Sequence, residues 1–102
     1  MSAIEPREMP SLQLRVRVAE RVLMRQVGDE MVMLNLEREL YYGMNEVGAR
    51  LMQLAEPGAT LAEICERLLD EFDAGRDQLE ADVRRIVAEL MAGGLLEKDR
   101  AQ

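Results

Sequence analysis

The sequence has no histidine and no tryptophan, and its 102 residues include only one cysteine and one phenylalanine. Histidine is the commonest general base and the commonest metal ligand, so its absence removes the usual route to both kinds of site. The single thiol, Cys65, has no partner for an internal disulfide, which fits a reduced cytoplasmic setting. Cys65 follows Ile64 in an amphipathic stretch, where we interpret it as a small buried hydrophobe. We therefore expect no catalytic residue, no metal site and no cofactor.

Positive charge is also scarce, because 13 Lys and Arg stand against 20 Asp and Glu, a net charge of −7. Proteins that bind nucleic acids normally present a basic face to the phosphates, so this balance argues against nucleic acid as the main partner. No hydrophobic run approaches the roughly 18 residues of a membrane span. The N-terminus lacks the apolar core of a signal peptide. We therefore expect a cytoplasmic protein that binds neither nucleic acid nor membrane.

The length and the 48% of hydrophobic residues fit one domain with an aliphatic, Met-rich core. Residues 1–11 carry two prolines and mixed charge, which is typical of a mobile tail. We expect an N-terminal tail or extension over residues 1–20, one domain over 21–97 and a polar C-terminal tail over 98–102.

The first half of the chain shows the alternation of β-strands. Hydrophobic and polar residues alternate over 12–18, which predicts a half-buried strand or an extended arm. Three further strand candidates follow, separated by the short links Gly28-Asp29 and Arg38-Glu39; they are Val22–Val27, 31–37 and Leu40–Met44. Short links between successive strands predict a three-stranded antiparallel meander, with Val32, Leu34 and Leu36 on one face of its middle strand.

The second half shows helical spacing. Asn45 is placed to cap a first helix that opens at Glu46, and Thr60 with Glu63 forms a capping box before a second helix. A third helix, capped by Asp77 or Asp73, runs to Ala92, where Gly93-Gly94 ends it. Strands followed by helices predict an α+β domain. A small antiparallel sheet with three helices is the layout of a winged helix-turn-helix domain.

Two features of this layout are candidates for function. Leu40–Met44 is the last strand of the meander, so one side of its backbone is free to pair with a peptide, and Gly43 allows close approach. The flank of helix 3 beside it would form a groove with charged lips from Asp82, Arg85 and Glu89. The alternatives are an ordinary edge strand kinked at Gly43 and an amphipathic helix with a solvated back.

The phrases LNLERELYYGMNEVGARLMQL, TLAEICERLLDEFD and LEADVRRIVAELMAGGLLE resemble the PqqD-like family, also called RiPP recognition elements, which are peptide chaperones. The resemblance covers residues 22–97 and implies a winged helix-turn-helix fold that binds no DNA. It also implies binding of the leader of a ribosomally made precursor peptide, between the third strand of the meander and helix 3. The sequence departs from the family at Glu39, where Gly is frequent, so the resemblance allows a wider loop there.

The site carried over from the resemblance has two parts. The strand part is Leu40, Tyr41, Tyr42, Gly43 and Met44, and the helix part is Asp82, Val83, Arg85, Ile86 and Val87. The implied partners are the precursor peptide and a modifying enzyme. That enzyme is a leader peptidase with a cyclase in lasso peptide pathways, or a radical enzyme in pyrroloquinoline quinone synthesis.

The sequence leaves alternatives to this function open. A winged-helix transcription regulator shares the topology, and Arg76, Arg84 and Arg85 lie on its third helix, but neighbouring carboxylates would repel phosphates. A homodimer is a further possibility, through the bare strand edge or through exchange of the 12–18 arm. Nothing in the sequence supports an enzyme.

Overall fold

The computed structural model describes residues 9–100. Residues 1–8 of the predicted mobile tail and residues 101–102 of the predicted C-terminal tail lie outside the described residues. The elements in chain order are β1 (Arg15–Val18), β2 (Val22–Val27), β3 (Glu30–Asn35), β4 (Leu40–Met44), α1 (Glu46–Ala55), β5 (Ala59–Thr60), α2 (Leu61–Glu71), α3 (Arg76–Ala92) and β6 (Leu96–Lys98). The α+β class and the sheet followed by three helices are confirmed.

The predicted meander is an antiparallel sheet with the order β2-β3-β4, so the third strand of the prediction is β4. Met31 and Met33 of β3 face the helices and are buried, and Asn35 continues this face. Val32 and Leu34 share a face, as predicted, and that face points away from the helices. The sheet therefore carries apolar side chains on both of its faces.

A turn of four residues joins β3 to β4 and stays tight despite Glu39. Glu39 takes φ 55°, a left-handed conformation that glycine adopts without steric cost. The side-chain oxygen of Asn35 accepts from the backbone N–H groups of Glu37 and Arg38 at 3.0 and 3.1 Å. These bonds shape the turn locally, so no wider loop forms.

The predicted N-terminal extension contributes a strand to the core of the domain. Val16 of β1 is fully buried, and β1 pairs with β5 on one side and with β6 on the other. The expected boundary at residue 20 is therefore wrong, because an alternating strand buries one face only when it has partners. The expected polar tail from residue 98 is also corrected, since Lys98 ends β6 and Asp99 is buried against Arg15 Nε at 3.0 Å.

The helices begin where the local signals place them, with one exception. Asn45 accepts from the Gly48 amide at 2.8 Å, and the capping box between Thr60 and Glu63 is present. The exception is α3, whose N-cap is Gly75; neither Asp77, inside the first turn, nor Asp73, two residues upstream, caps it. The helices pack over β3 around Met33, Leu51, Leu68, Val83 and Leu95, with Cys65 buried among them.

Candidate functional site

Strand β4 has an open edge. Its one strand neighbour among residues 9–100 is β3, with Gly43 opposite Val32 and Tyr42 opposite Met33. Because side chains alternate along a strand, Tyr42 and Met44 point toward the helices while Tyr41 and Gly43 point away. Tyr41 is 76% exposed. The free row of backbone N–H and C=O groups on β4 is a template for one more strand.

A groove of about 400 Å³ runs along this edge, between β4 and α3. Its floor is apolar and is built by Met44, Ile86, Leu90 and Leu95. The strand supplies one wall and the exposed flank of α3 the other. Its full lining is Tyr42, Gly43, Met44, Asn45, Gly48, Arg85, Ile86, Glu89, Leu90 and Leu95.

Hydrogen bonds fix the width of the groove at the end where α3 stops. Asn35, buried at the end of β3, donates from Nδ2 to the carbonyl oxygens of Gly93 and Gly94, both at 3.3 Å. Arg38 Nη1 donates to the Ala92 carbonyl at 3.2 Å. A Cβ built on Gly93 would lie 3.3 Å from the Tyr42 hydroxyl, so the phenol ring packs against the end of the helix. The sheet and α3 are thus joined directly.

The wall formed by α3 carries alternating charges. Arg85 lies between two carboxylates one turn away on either side, 3.6 Å from Asp82 and 3.5 Å from Glu89. All three side chains are substantially exposed, so these ion pairs contribute little to stability and exchange readily for a charged ligand. The lip therefore offers both signs of charge above an apolar floor.

The structure brings together half of the predicted site. Tyr42, Gly43, Met44, Arg85 and Ile86 line one groove. The other predicted residues lie elsewhere: Leu40 is on the groove face at the strand end, Tyr41 is on the opposite face, Asp82 is one turn before Ile86, and Val83 and Val87 are fully buried in the core.

Val83 and Val87 cannot touch a peptide in this conformation, because their stripe packs on the other helices. The predicted site did not include Leu90 and Leu95, two buried core residues that also line the bottom of the groove, or the contribution of α1 and its cap through Gly48 and Asn45. A signal for Gly48 existed, since glycine inside a helix marks close approach. A Cβ there would lie 3.1 Å from Met44 Sδ.

The arginines of α3 do not form a free basic face. Arg76 pairs with Glu66 at 2.6 Å and with Glu80 at 3.5 Å, and Arg84 Nε donates to the Pro10 carbonyl at 2.9 Å. Asp82 and Glu89 on either side of Arg85 offset its positive charge. A helix that reads DNA needs cations directed at phosphates, so this arrangement does not favour the transcription regulator.

Other candidate sites are weaker. A hollow of about 720 Å³ between Met31, Arg50 and Phe72 is larger, but no residue of α3 lines it. Within residues 9–100 no three His, Cys, Asp or Glu side chains are grouped to hold a metal ion. Burial, with smaller effects from Glu80 and Glu66, raises the pKa of the Cys65 thiol to about 11, so it is a poor nucleophile. None of the helices in the described range is both long and apolar enough to cross a bilayer.

Comparisons with known proteins agree with this geometry. Residues 30–96 match the family model described as coenzyme PQQ synthesis protein D (PqqD). A solved structure of TbiB1 in complex with the TbiA(beta) leader peptide is 31% identical, with a TM-score of 0.73 over 79% of this chain and 94% of that chain. A lasso peptide synthetase B1 complexed with the leader peptide has the same fold at 23% identity, with a TM-score of 0.72 over 80% and 96% of the two chains. No curated protein sequence matches the chain.

Proposed function

Because the chain belongs to the family of coenzyme PQQ synthesis protein D (PqqD), we propose that it binds the leader region of a ribosomally synthesised precursor peptide. The module does no chemistry of its own and presents the bound precursor to a separate modifying enzyme. TbiB1, which is 31% identical to this chain, forms a complex with a leader peptide. The corresponding partner of this chain is a leader peptide of its own precursor.

The observation that carries the proposal is the joint placement of an open strand edge and an apolar groove. A leader in extended conformation adds to β4 through main-chain hydrogen bonds, which give affinity without regard to sequence. Alternate side chains of that strand then point into the groove between β4 and α3. The half-buried side chains of Met44 and Ile86 receive an apolar side chain, over Leu90 and Leu95 at the bottom of the groove, and Arg85 and Glu89 select the charges beside it.

A fluorescence-anisotropy titration tests the proposal. The probes are labelled leader regions of the short reading frames that flank the gene, added to the purified full chain. We expect saturable binding by one leader, unchanged when the core region of the precursor is removed. The identity of that leader also names the pathway and hence the modifying enzyme. Failure of every leader to bind would overturn the function.

Proline substitutions separate strand addition from other modes of binding. Gly43→Pro places a ring on the open edge and removes an N–H, so we expect at least a tenfold loss of leader affinity. Gln26→Pro makes the same change on β2, at the opposite edge of the sheet, and is the matched control. Far-ultraviolet circular dichroism checks that both variants fold. Equal affinities of two folded variants would contradict strand addition.

A second measurement leaves the protein unchanged. Leader peptides with N-methyl groups at alternate backbone amides lose the hydrogen bonds of one strand face only. Methylation in the register that pairs with β4 should abolish binding, and methylation one residue along should leave it nearly intact. The same response to both registers would mean that side chains alone hold the leader.

A further inference from the structure

The face of the meander that points away from the helices is unusually apolar. Among the described residues, three of the five exposed large hydrophobic side chains lie on this face, namely Leu23, Val27 and Tyr41; the other two are Leu36 in the β3–β4 turn and Leu40 on the groove face. Antiparallel sheets that face water on one side normally carry polar residues there. A shallow hollow of about 200 Å³ on this face is lined by Leu23, Arg25, Val27, Val32, Leu34 and Tyr41. The face thus has the composition of an interface.

The register arranges these side chains in two rows across the strands. One row is Leu23, Leu34 and Tyr41, and the next is Arg25, Val32 and Gly43. The second row begins with a cation on β2 and ends with a gap on β4, because Gly43 has no side chain. The carboxylate of Glu30 lies beside that gap, since its Oε2 is 3.7 Å from a Cβ built on Gly43.

Neither Arg25 nor Glu30 has a charged partner within the described residues. Arg25 and Glu30 are both exposed, and no described side chain forms an ion pair with either. Arg25 lies on the edge strand β2, whereas Glu30 lies on the central strand β3 and its carboxylate reaches past Val32 toward Gly43 on β4. A complementary surface must therefore offer a carboxylate opposite Arg25 and a cation opposite Glu30, on either side of an apolar centre.

We propose that this complementary surface is the same face of a second copy of the chain. A two-fold axis parallel to β3 and passing over Val32 places β2 of one copy over β4 of the other. Arg25 then enters the gap above Gly43 of the second copy and meets its Glu30, and the reciprocal pair forms at the other edge. Tyr41 lies over Leu23 in the same way. An interface with two-fold symmetry is self-complementary, and this row of side chains meets that requirement.

The size of the face places it among small, transient interfaces. Three strands of this length cover about 15 by 20 Å. A standard interface buries about 800 Å² on each partner, so this sheet alone supports a weak dimer that forms with rising concentration. The open edge of β4 and its groove stay accessible, because the contact uses the other face of the sheet. The dimer is therefore compatible with the proposed leader site but does not depend on it.

Sedimentation velocity on the full chain over a concentration series tests the proposal. We expect a monomer–dimer equilibrium at physiological salt, with the dimer fraction rising across the concentration series. Arg25→Glu and Glu30→Arg each bring like charges together at both ends of the interface, so each should weaken the dimer at least tenfold. Leu40→Ser is the matched control on the other face of the sheet and should leave the dimer unchanged.

Mixing the two charge variants gives the decisive result. In a heterodimer of Arg25→Glu with Glu30→Arg, one ion pair has its native charges and the other has its two charges exchanged. Both pairs are therefore attractive. The mixture should dimerise within threefold of the wild type, and so should the double variant. A wild type that stays monomeric over the whole series, or a dimer that neither substitution weakens, would overturn the proposal. Weakening without recovery in the mixture would overturn the symmetric pairing.

None of these measurements involves a leader peptide, so their failure is distinct from failure of the proposed function. Both substitutions lie at exposed positions outside the β4–α3 groove, and circular dichroism checks their fold. If either variant unfolds, Leu23→Lys replaces it. That substitution removes an apolar contact under Tyr41 and should also weaken the dimer at least tenfold; an unchanged dimer would contradict the face-to-face contact.

Discussion

Asn35 and Gly94 join the end of β3 to the end of α3. The Asn35 amide donates to the Gly94 carbonyl at 3.3 Å, and a Cβ built on Gly94 would lie only 2.9 Å from Asn35 Nδ2. Gly94 also takes φ 76°, where side chains other than that of glycine are strained. The Asn35 side chain has room because Gly94 has none, and its hydrogen bond holds the end of α3 against the sheet. Together the two residues set the distance between sheet and helix on which the groove depends.

Asn35→Ala should destabilise the fold by about 2–3 kcal/mol, because loss of this buried side chain leaves the backbone groups that it bonds without partners. Gly94→Ala should cost about 1–2 kcal/mol for the left-handed conformation, and more for the collision with Asn35. Urea unfolding at pH 7 measures both. Gly75→Ala is the control, since nothing lies within 4 Å of its Cβ position, and it should change stability by less than about 1 kcal/mol. Losses no larger than that of the control would contradict this account of the junction.

At Glu39, in contrast, a substitution should stabilise the protein. Its φ of 55° costs about 1 kcal/mol relative to glycine, so Glu39→Gly should stabilise the protein by about that amount. For a domain of this size the melting temperature should rise by about 4–8 °C in differential scanning calorimetry. Glu37→Gly, in the same turn but without a positive φ, should not raise it. An unchanged melting temperature for Glu39→Gly would show that the turn stores no strain.

Sequence reasoning succeeds where the signal is local. The bounds of β4, the Asn45 cap and the Thr60–Glu63 capping box follow from residues within a few positions of one another, and all three are confirmed. The pairing of β1 with β6 joins residues about eighty positions apart, and no local pattern encodes that contact.

Only half of the predicted site residues line the groove, for a related reason. Helical spacing identified the apolar stripe of α3 but not which part of it faces other helices and which faces β4. Val83 and Val87 lie on the buried side, while Ile86 lies at the border and enters the groove. Asn35 also escaped notice, because a polar residue in an alternating strand looks solvent-facing until α3 is packed beside it.

Ile86 gives a direct test of the groove floor. Ile86→Asp places a carboxylate where the leader should bury an apolar side chain, so leader affinity in the anisotropy titration should fall at least tenfold. Leu69→Asp is the matched control, a half-buried hydrophobe on α2 that lies outside the groove lining. Similar leader binding by the two folded variants would show that the groove is not the leader site.

Cys65 should be inert in the native state. The side chain is 1% exposed and burial raises the pKa of its thiol to about 11, so almost no thiolate is present at pH 8. We expect 5,5′-dithiobis(2-nitrobenzoate) to label it only at the rate of unfolding, and completely in 6 M guanidinium. Labelling of native protein at the rate of a free thiol would contradict this burial.

The ion pair between Arg50 and Glu71 predicts how stability responds to acid. Nε and Nη2 of Arg50 contact the two carboxylate oxygens of Glu71 at 2.7 and 2.8 Å, linking α1 to the end of α2. The hydrogen bonds from Arg50 hold the pKa of Glu71 below its ordinary value of 4.5. Because the folded pKa is the lower one, the stabilising contribution is present above pH 4.5 and is lost as the pH falls through the folded value.

Arg50→Gln should therefore be less stable than the wild type in urea at pH 7, and the difference should shrink below pH 4.5. NMR titration of the Glu71 carboxyl should show a higher pKa in the variant than in the wild type. A stability difference that stays constant down to pH 3 would mean that Arg50 acts through packing of its alkyl chain and not through its charge.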